Sequence, residues 1–588
     1  MVIWTAVIAG VVGRAFPAAP IAGTAVGAGI CLAATAALAT ASLAWASDQG
    51  RAFDEAIRVS FYLGLFCLAV CTASRAGRGQ WRAGLTLGLG IVSVLGLIGY
   101  LQPALLLGGG NEVQNAAGRL SEPLGYWNGM AALMAVCTVL LADGSVAAPG
   151  RTLRAAATAA LPLALLGIWL TSSRGGAAAA IVGVTVLVAG SPDRLRRLLF
   201  VAIGAIGAAV LILASEQMDA LTSGMVDAAS RSDGNRLSVL ALIVCLLTGG
   251  VAWLLDGSRP GLRIPRSARV ALVALAVVGI TSAIAAADPA ERFREFKEPP
   301  PPTGGLISEG AVGGFSSSGR WQYWSEAVDA FESSPTTGIG AGGYEDWWAR
   351  NAPVAVFVRN PHSLPLQQAA ELGAPGLVLF LGFVGLVGVA ALRSLAERFE
   401  GDAGALVAVF IAGGLSATID WTWEIPAAFA AVVIAAALLT SSAPVRKPAR
   451  NPYWRGVATV IVAWIAMVGG SLIVLAELEL RRSRAAAADN RVERGIDAAL
   501  AARTVEPWSA EPYTQLALLE EVRGNYEQAL VRLRQAENRD SEDWRLPLIE
   551  ARLQRKRGDE LASRMALERA RSLGPRIPVF REPRSDQG

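Results

Sequence analysis

Long apolar runs alternate with short polar connections over most of this chain. A helix that crosses about 30 Å of hydrocarbon needs roughly 20 apolar residues, and runs of about that length recur until residue 477. The pattern predicts an all-α polytopic bundle of about 12 to 14 transmembrane helices. The predicted spans are residues 2–14, 20–47, 57–74, 83–106, 127–142, 154–171, 175–190, 198–215, 237–255, 269–287, 375–393, 404–419, 425–440 and 456–477.

Basic residues between the runs predict the orientation of the bundle. The loops at 75–82, 191–197, 256–269 and 441–455 carry several arginines or lysines and fall on one side of the predicted bundle. Short basic loops stay in the cytoplasm. The alternate loops, and everything after residue 477, are therefore expected outside the cytoplasm. A cleavable signal peptide is not expected, because the apolar N-terminus runs on towards further spans.

The composition agrees with a membrane protein and excludes some other classes. The 588 residues are 53% hydrophobic and 17% charged, whereas soluble domains have about 25% charged residues. The arginines are spread between apolar runs, which argues against a nucleic-acid interface. All five cysteines lie inside apolar runs and the chain has one histidine, so we expect neither disulfides nor a transition-metal centre.

The character of the chain changes after residue 477. Residues 485–575 are charged and helical in pattern, and they repeat at a spacing of 34: Arg523-Gly524-Asn525 matches Arg557-Gly558-Asp559, and Ala517 matches Ala551. This period resembles tetratricopeptide repeats, of which about two and a half are present. This number of repeats is near the minimum for a stable module. We therefore expect contacts with the membrane domain or with a partner to stabilise it. The predicted domains are 1–477, 478–575 and a tail at 576–588.

The longest polar interruption, residues 288–374, is expected to carry the chemistry. It contains the only histidine, His362, and also Arg320, Arg359 and Glu371. A neutral imidazole at pH 7 can accept a proton from a hydroxyl group. The alternative for a lone histidine is a hydrogen-bonded structural role.

Three arginines lie at predicted outward ends of spans: Arg119, Arg174 and Arg320. Guanidinium groups form bidentate hydrogen bonds with phosphate oxygens, and several together would bind a diphosphate and stabilise the charge on it as a leaving group. The alternative is that each caps helix carbonyls or pairs with an acid such as Glu122 or Asp420.

The segment 333–348 is rich in glycine, and glycine lets the backbone approach a ligand closely. A turn-rich linker explains the same composition. The segment lacks the Gly-Lys-Ser/Thr of a nucleotide-binding loop. The nearby tryptophans would stack on sugar rings or form an interfacial belt: Trp321, Trp324, Trp347 and Trp348.

These motifs, in this order, resemble the O-antigen ligase / O-antigen polymerase superfamily over roughly residues 55–440. The order is a Ser-Arg-Gly after a span, an Arg-x-x-x-Trp-x-x-Ala, a Pro-x-x-Gly-x-Gly-x-Gly-x-Tyr, and a His followed by Glu-x-Gly before the next span. Here these are Arg174; Arg320, Trp324 and Ala327; Pro335, Gly338, Gly340, Gly342 and Tyr344; and His362, Glu371 and Gly373. One position departs from the family, which usually has Asn after the histidine where this chain has Ser363.

The resemblance implies a multi-pass transferase of the cytoplasmic (inner) membrane that works without metal, nucleotide or other cofactor. It would take a glycan from an undecaprenyl-diphosphate carrier, at the outer face, and pass it to an acceptor hydroxyl. By the resemblance His362 and Arg320 are catalytic, and Arg119, Arg174 and Arg320 hold the diphosphate. Glu371, Arg359 and Tyr344 are supporting residues.

Several functions stay open at the level of the sequence. Ligase, polymerase and protein O-oligosaccharyltransferase differ only in the acceptor, which would be a glycan, a glycolipid or a protein. Outside the transferases, a transporter of lipid-linked glycans would need ionisable residues deep in its spans, and these spans are nearly devoid of charge. A membrane scaffold that recruits a protein partner through its repeat module is the third class.

Overall fold

A computed structural model of the chain describes residues 1–13, 16, 21–73, 75–103, 118–222, 227–257, 289–299, 317–396, 403–441 and 453–580. These residues are helical and contain no β-strand; Asp48 and Asp540 form one isolated bridge. Eight of the described helices are long and apolar enough to cross a membrane. The predicted all-α polytopic fold is confirmed. The predicted span at 269–287 lies outside the described residues.

The membrane part and the polar loop contain sixteen helices in the described residues. They are α1 (Val2–Val12), α2 (Gly23–Ala41), α3 (Gln49–Cys71), α4 (Arg75–Leu101), α5 (Trp127–Ala147), α6 (Arg151–Leu170), α7 (Arg174–Gly190), α8 (Arg194–Ser215), α9 (Asp219–Thr222), α10 (Ala228–Gly257), α11 (Pro289–Lys297), α12 (Arg320–Ser333), α13 (Tyr344–Asn351), α14 (Leu364–Ala396), α15 (Ala403–Ile419) and α16 (Pro426–Thr440).

Helix α5 lies at the centre of the bundle. It is a candidate membrane span, and 89% of its most apolar stretch is buried by other helices. Small residues allow its neighbours to come close. A Cβ added to Gly176 of α7 would lie 2.4 Å from Ala131 of α5, and one added to Gly183 would lie 2.6 Å from Val139. The glycines of α7 therefore fit a tight helix contact.

The two ends of the bundle differ in charge. At the end where α5 terminates, Asp143 pairs with Arg82 at 3.1 Å and with Arg197 at 2.9 Å. Asp256 pairs there with Arg154 at 2.7 Å. At the other end, where α5 begins, the polar segments of the predicted loop gather. Arg82 and Arg197 belong to connections that the sequence predicts to be cytoplasmic, and that orientation stays a prediction.

Two predicted loops are helical instead, because α4 begins at Arg75 and so takes in the whole of the predicted loop at 75–82, and α3 takes in most of the one at 48–57. Residues 48–57 were expected to be a loop, but α3 begins at Gln49, and the Asp48 side chain caps it by accepting the Arg51 amide at 3.1 Å. An aspartate at this position satisfies an amide that the first turn leaves unpaired. The charged start of α3 thus projects beyond the apolar stretch.

The C-terminal region follows from one long helix, α17 (Tyr453–Ala488), which continues through the predicted boundary at 477 without a break. Five helices follow: α18 (Val492–Val505), α19 (Glu511–Val522), α20 (Tyr526–Glu537), α21 (Arg545–Lys556) and α22 (Glu560–Leu573). Gly524 and Gly558, one 34-residue period apart, have φ of 81° and 82°. The repeat therefore reappears as the same left-handed helix end; the tetratricopeptide resemblance stays a prediction.

Candidate active site

The first residue of α12, Arg320, is bound to the turn between α15 and α16. Its Nη2 lies 2.7 Å from Oδ2 of Asp420, and its Nε donates to the Ile419 carbonyl at 2.8 Å. Asp420 is one of the acids with which the sequence predicts an arginine to pair if the role of that arginine is structural. In this structure the Arg320 guanidinium is held by protein groups.

Asp420 is the hub of the site. Its carboxylate is 4% exposed and accepts four hydrogen bonds: from Arg320, from the Tyr126 hydroxyl at 2.6 Å, from Asn128 Nδ2 at 2.8 Å and from the Trp421 amide at 2.9 Å. These four donors come from the start of α5, from α12 and from the turn itself, so Asp420 joins three parts of the chain. Trp421 also stacks on the Tyr126 ring with centroids 4.1 Å apart.

His362 lies beside this hub with a defined tautomer. Its Nδ1 is 3.0 Å from the Asn360 carbonyl oxygen. Because that oxygen can only accept, Nδ1 carries the hydrogen and Nε2 keeps a lone pair. Burial lowers the pKa of His362; Asp420 raises this pKa and Arg320 lowers it. The charges of both members of the ion pair therefore act on the histidine. The imidazole is neutral at pH 7, as a proton acceptor must be.

The backbone at His362 is constrained by the residue two positions earlier. Its φ is 53°, an unusual value for a residue with a side chain. The Asn360 side chain accepts the His362 amide at 3.3 Å, which makes a local turn. The following helix, α14, starts two residues later, at Leu364. Strained residues persist where the surroundings fix them, often in functional sites.

Arg119 and Arg174 belong to the same end of the bundle. Arg119 donates through Nε to the Thr171 carbonyl at 2.8 Å and through Nη2 to the Ser172 carbonyl at 3.0 Å, and its guanidinium lies 4.6 Å from the Trp127 ring centre. Arg119 therefore caps carbonyls at the end of α6. This is the structural role that the sequence left open as an alternative to diphosphate binding. Arg174 is exposed at the start of α7.

The turn between α6 and α7 brings these arginines towards Arg320. Thr171 and Ser172, whose carbonyls bind Arg119, lie three and two residues before Arg174 in this tight turn. A Cβ on Gly175 would lie 3.0 Å from Ile419, whose carbonyl binds Arg320. The turn that contains Arg174 is thus packed against the turn that contains Asp420.

The predicted supporting residue Glu371 lies beneath the glycine-rich loop. It is 3% exposed and accepts a hydrogen bond from Gln367 Nε2 at 3.2 Å. A Cβ on Gly338 would lie 2.3 Å from the Glu371 backbone, and Gly338 has φ of 68°. Gly338 therefore packs closely on α14, whereas a Cβ on Gly340 would meet Ala46 and one on Gly342 would meet Arg51, so these glycines serve close packing of the loop on the protein.

Tyr344 supports the site from behind, whereas Arg359 lies apart from it. Tyr344 is fully buried, and its hydroxyl donates to the Tyr323 carbonyl at 2.7 Å. The Tyr323 ring in turn lies 5.1 Å from the His362 ring. Arg359 is 71% exposed in its side chain and lies 3.5 Å from Glu345. It belongs to a separate ionic cluster on the outer face of α13.

Tyr126 and Asn128 are site residues that the sequence analysis did not single out. Both occur in the segment GYWNG, a few residues after Arg119: Tyr126 directly precedes α5 and Asn128 is its second residue. A signal was available: a tyrosine and an asparagine placed at the outward boundary of an apolar run have to find polar partners. Their partner, Asp420, is nearly 300 residues away in sequence.

Residues 228–381 match the profile of a family described as O-antigen ligase. This segment is an O-antigen ligase family domain. It contains Arg320, Tyr344, Arg359, His362 and Glu371, whereas Arg119 and Arg174 lie before it. No curated protein matches the chain.

The O-antigen ligase match supports glycan transfer of the ligase or polymerase type in general, with a lipid-linked glycan and an acceptor as substrates. Together with the apolar helices it indicates a multi-pass membrane protein. Within the described residues, no group of three or more His, Cys, Asp or Glu side chains is arranged to hold a metal ion.

Proposed function

We propose that this protein transfers a glycan from an undecaprenyl-diphosphate carrier to an acceptor hydroxyl at the outer face of the cytoplasmic membrane. The observation that supports this most directly is the placement of His362 beside the Arg320–Asp420 pair, inside the segment that matches the O-antigen ligase family. A proton acceptor and a phosphate-binding cation are the two groups that such a transfer needs.

The reaction is a single displacement. The acceptor oxygen forms a bond to the anomeric carbon of the glycan while the bond from that carbon to the diphosphate oxygen breaks. The hydroxyl proton passes to Nε2 of His362, whose lone pair is available because Nδ1 donates to Asn360. The undecaprenyl diphosphate leaves with the extra negative charge.

Arg320 is the group proposed to stabilise that charge, with Arg119 and Arg174 holding the rest of the diphosphate. In the structure Arg320 Nη2 binds Asp420 and Nε binds a backbone carbonyl. A diphosphate, which carries more charge than one carboxylate, competes for the exposed edge of this guanidinium. Asp420 then keeps its hydrogen bonds from Tyr126, Asn128 and the Trp421 amide.

Purified protein incubated with undecaprenyl-diphosphate-linked glycan tests the proposal. The expected result is release of undecaprenyl diphosphate together with a new glycosidic bond. Growth of the glycan on its carrier identifies a polymerase, whereas transfer to an added glycolipid identifies a ligase and transfer to an added protein an oligosaccharyltransferase. Movement of intact lipid-linked glycan across vesicles without release of the diphosphate would instead make the protein a transporter.

A further inference from the structure

Arg51 connects three separate parts of the protein. It lies in the first turn of α3, where its Nε is 2.8 Å from Asp48. Its Nη1 is 3.4 Å from Glu345 and 3.5 Å from Asp346 of α13, and its Nη2 is 3.6 Å from Asp540 between α20 and α21. One guanidinium, 23% exposed in its side chain, thus serves four carboxylates from the bundle, the polar loop and the C-terminal helices.

The C-terminal helices hold α13 at further points. Arg545 lies 3.2 Å from Glu345, and Glu542 pairs with Arg350. Beyond the end of α13, Nη1 of Arg576 donates to the Ala352 carbonyl at 2.7 Å. These contacts cover the outer face of α13 from its first residues to its C-terminus.

The inner face of the same helix supports the candidate active site. The Trp348 ring packs edge-on against the Tyr323 ring at 5.0 Å, and the Tyr344 hydroxyl binds the Tyr323 carbonyl. Tyr323 packs against His362. Only α13 and one tyrosine therefore separate the C-terminal helices from the imidazole.

We propose that the C-terminal helices brace the candidate active site, and that Arg51 is a positioning residue that keeps His362 in register with Arg320. This inference rests on the proposed function for its effect on glycan transfer. Without Arg51, the acidic side chains of Asp48, Glu345, Asp346 and Asp540 lose the cation that they share, and the cost of keeping them buried together loosens the contact between α13 and the C-terminal helices. The support behind Tyr323 is then lost.

The test compares R51A, R51K and R569A in the full-length protein. R51A is expected to increase hydrogen exchange at residues 344–351 and 358–363, and to lower kcat for transfer by on the order of tenfold with little change in the KM for the donor, because misplacing a catalytic group lowers the rate. R51K keeps the charge and is expected to recover most of both effects. R569A is the matched control, since Arg569 pairs with Glu537 and Glu550 inside the C-terminal helices.

The two readouts separate this inference from the proposed function. Unchanged exchange at 344–351 and 358–363 in R51A would overturn the brace, whatever the activity. Increased exchange with unchanged kcat would also overturn it, because His362 would then not depend on α13. A wild-type protein that transfers no glycan would refute the proposed function, while exchange would still decide the coupling. Should R51A fail to insert, R545A breaks the Glu345 pair from the other side and is expected to give the same pattern.

Discussion

Arg320 and Asp420 are 100 residues apart in sequence, and their side chains meet at 2.7 Å. The pair joins the start of α12, in the polar loop, to the turn between two apolar helices. It therefore fixes the loop on one end of the bundle, and it places a guanidinium beside His362. The predictions below follow from this relationship and from the contacts around it.

Replacing Arg320 by lysine tests whether the fork of the guanidinium matters. Lysine keeps the charge but cannot bind Ile419, Asp420 and a phosphate at once, so we expect glycan transfer to fall roughly 100-fold. Arg236→Lys is the control, because Arg236 is 72% exposed in its side chain and pairs only weakly with Asp233 at 3.5 Å. Wild-type turnover of the Arg320→Lys variant would argue against diphosphate binding by this residue.

The pH dependence of transfer reports the ionisation of His362. Because burial lowers its pKa below the ordinary 6.5, the rate is expected to fall only when the pH drops below that value, where the imidazole becomes protonated and can no longer accept a proton. Asp420 raises this pKa. In Asp420→Asn the acidic limb of the profile should therefore move to still lower pH. A limb that moves upward, or stays in place, contradicts the proximity of the two groups.

A methyl group at Gly338 should loosen the glycine-rich loop. The added Cβ would lie 2.3 Å from the Glu371 backbone at a φ of 68°, and such strain costs roughly 1–3 kcal/mol. We expect Gly338→Ala to lower the midpoint of thermal unfolding in detergent. Gly385→Ala is the matched control, because a Cβ at Gly385 meets nothing within 4 Å. Equal midpoints for the two variants would exclude close packing as the role of Gly338.

Alkaline pH should weaken the contact between α13 and the C-terminal helices. The pKa of Asp540 is raised by burial and by Asp346 and Asp48, with Arg51 opposing; Glu345, Asp543 and Arg545 complete its surroundings. A raised pKa in the docked state means that docking is strongest below the ordinary value of 3.8 and is lost as the pH rises. Hydrogen exchange at residues 344–351 should increase with pH, and less steeply in Asp540→Asn. Exchange that rises equally in both, after correction for intrinsic rates, would contradict this role of Asp540.

The sequence predicted the membrane bundle because burial in lipid imposes a simple rule of length and apolarity on each helix. It also placed His362 and Arg320 at one end of the bundle, because both lie in the long polar interruption between two apolar runs. Which acid pairs with Arg320 depends on which helix ends meet in the fold. No local sequence pattern shows that Asp420 lies next to Tyr126. The glycines at 338–342 show the same limit: their composition suits a ligand-binding loop or a packed loop, and only their contacts with Glu371, Ala46 and Arg51 decide between the two.

The most direct test of the account compares His362→Ala with the wild-type protein in one transfer assay, using undecaprenyl-diphosphate-linked glycan and an acceptor, after both proteins are shown to insert equally. The account predicts that wild-type protein releases undecaprenyl diphosphate and forms the glycosidic bond, and that the variant is slower by about 100-fold or more. Equal rates for the two proteins would contradict the central claim that this imidazole receives the acceptor proton.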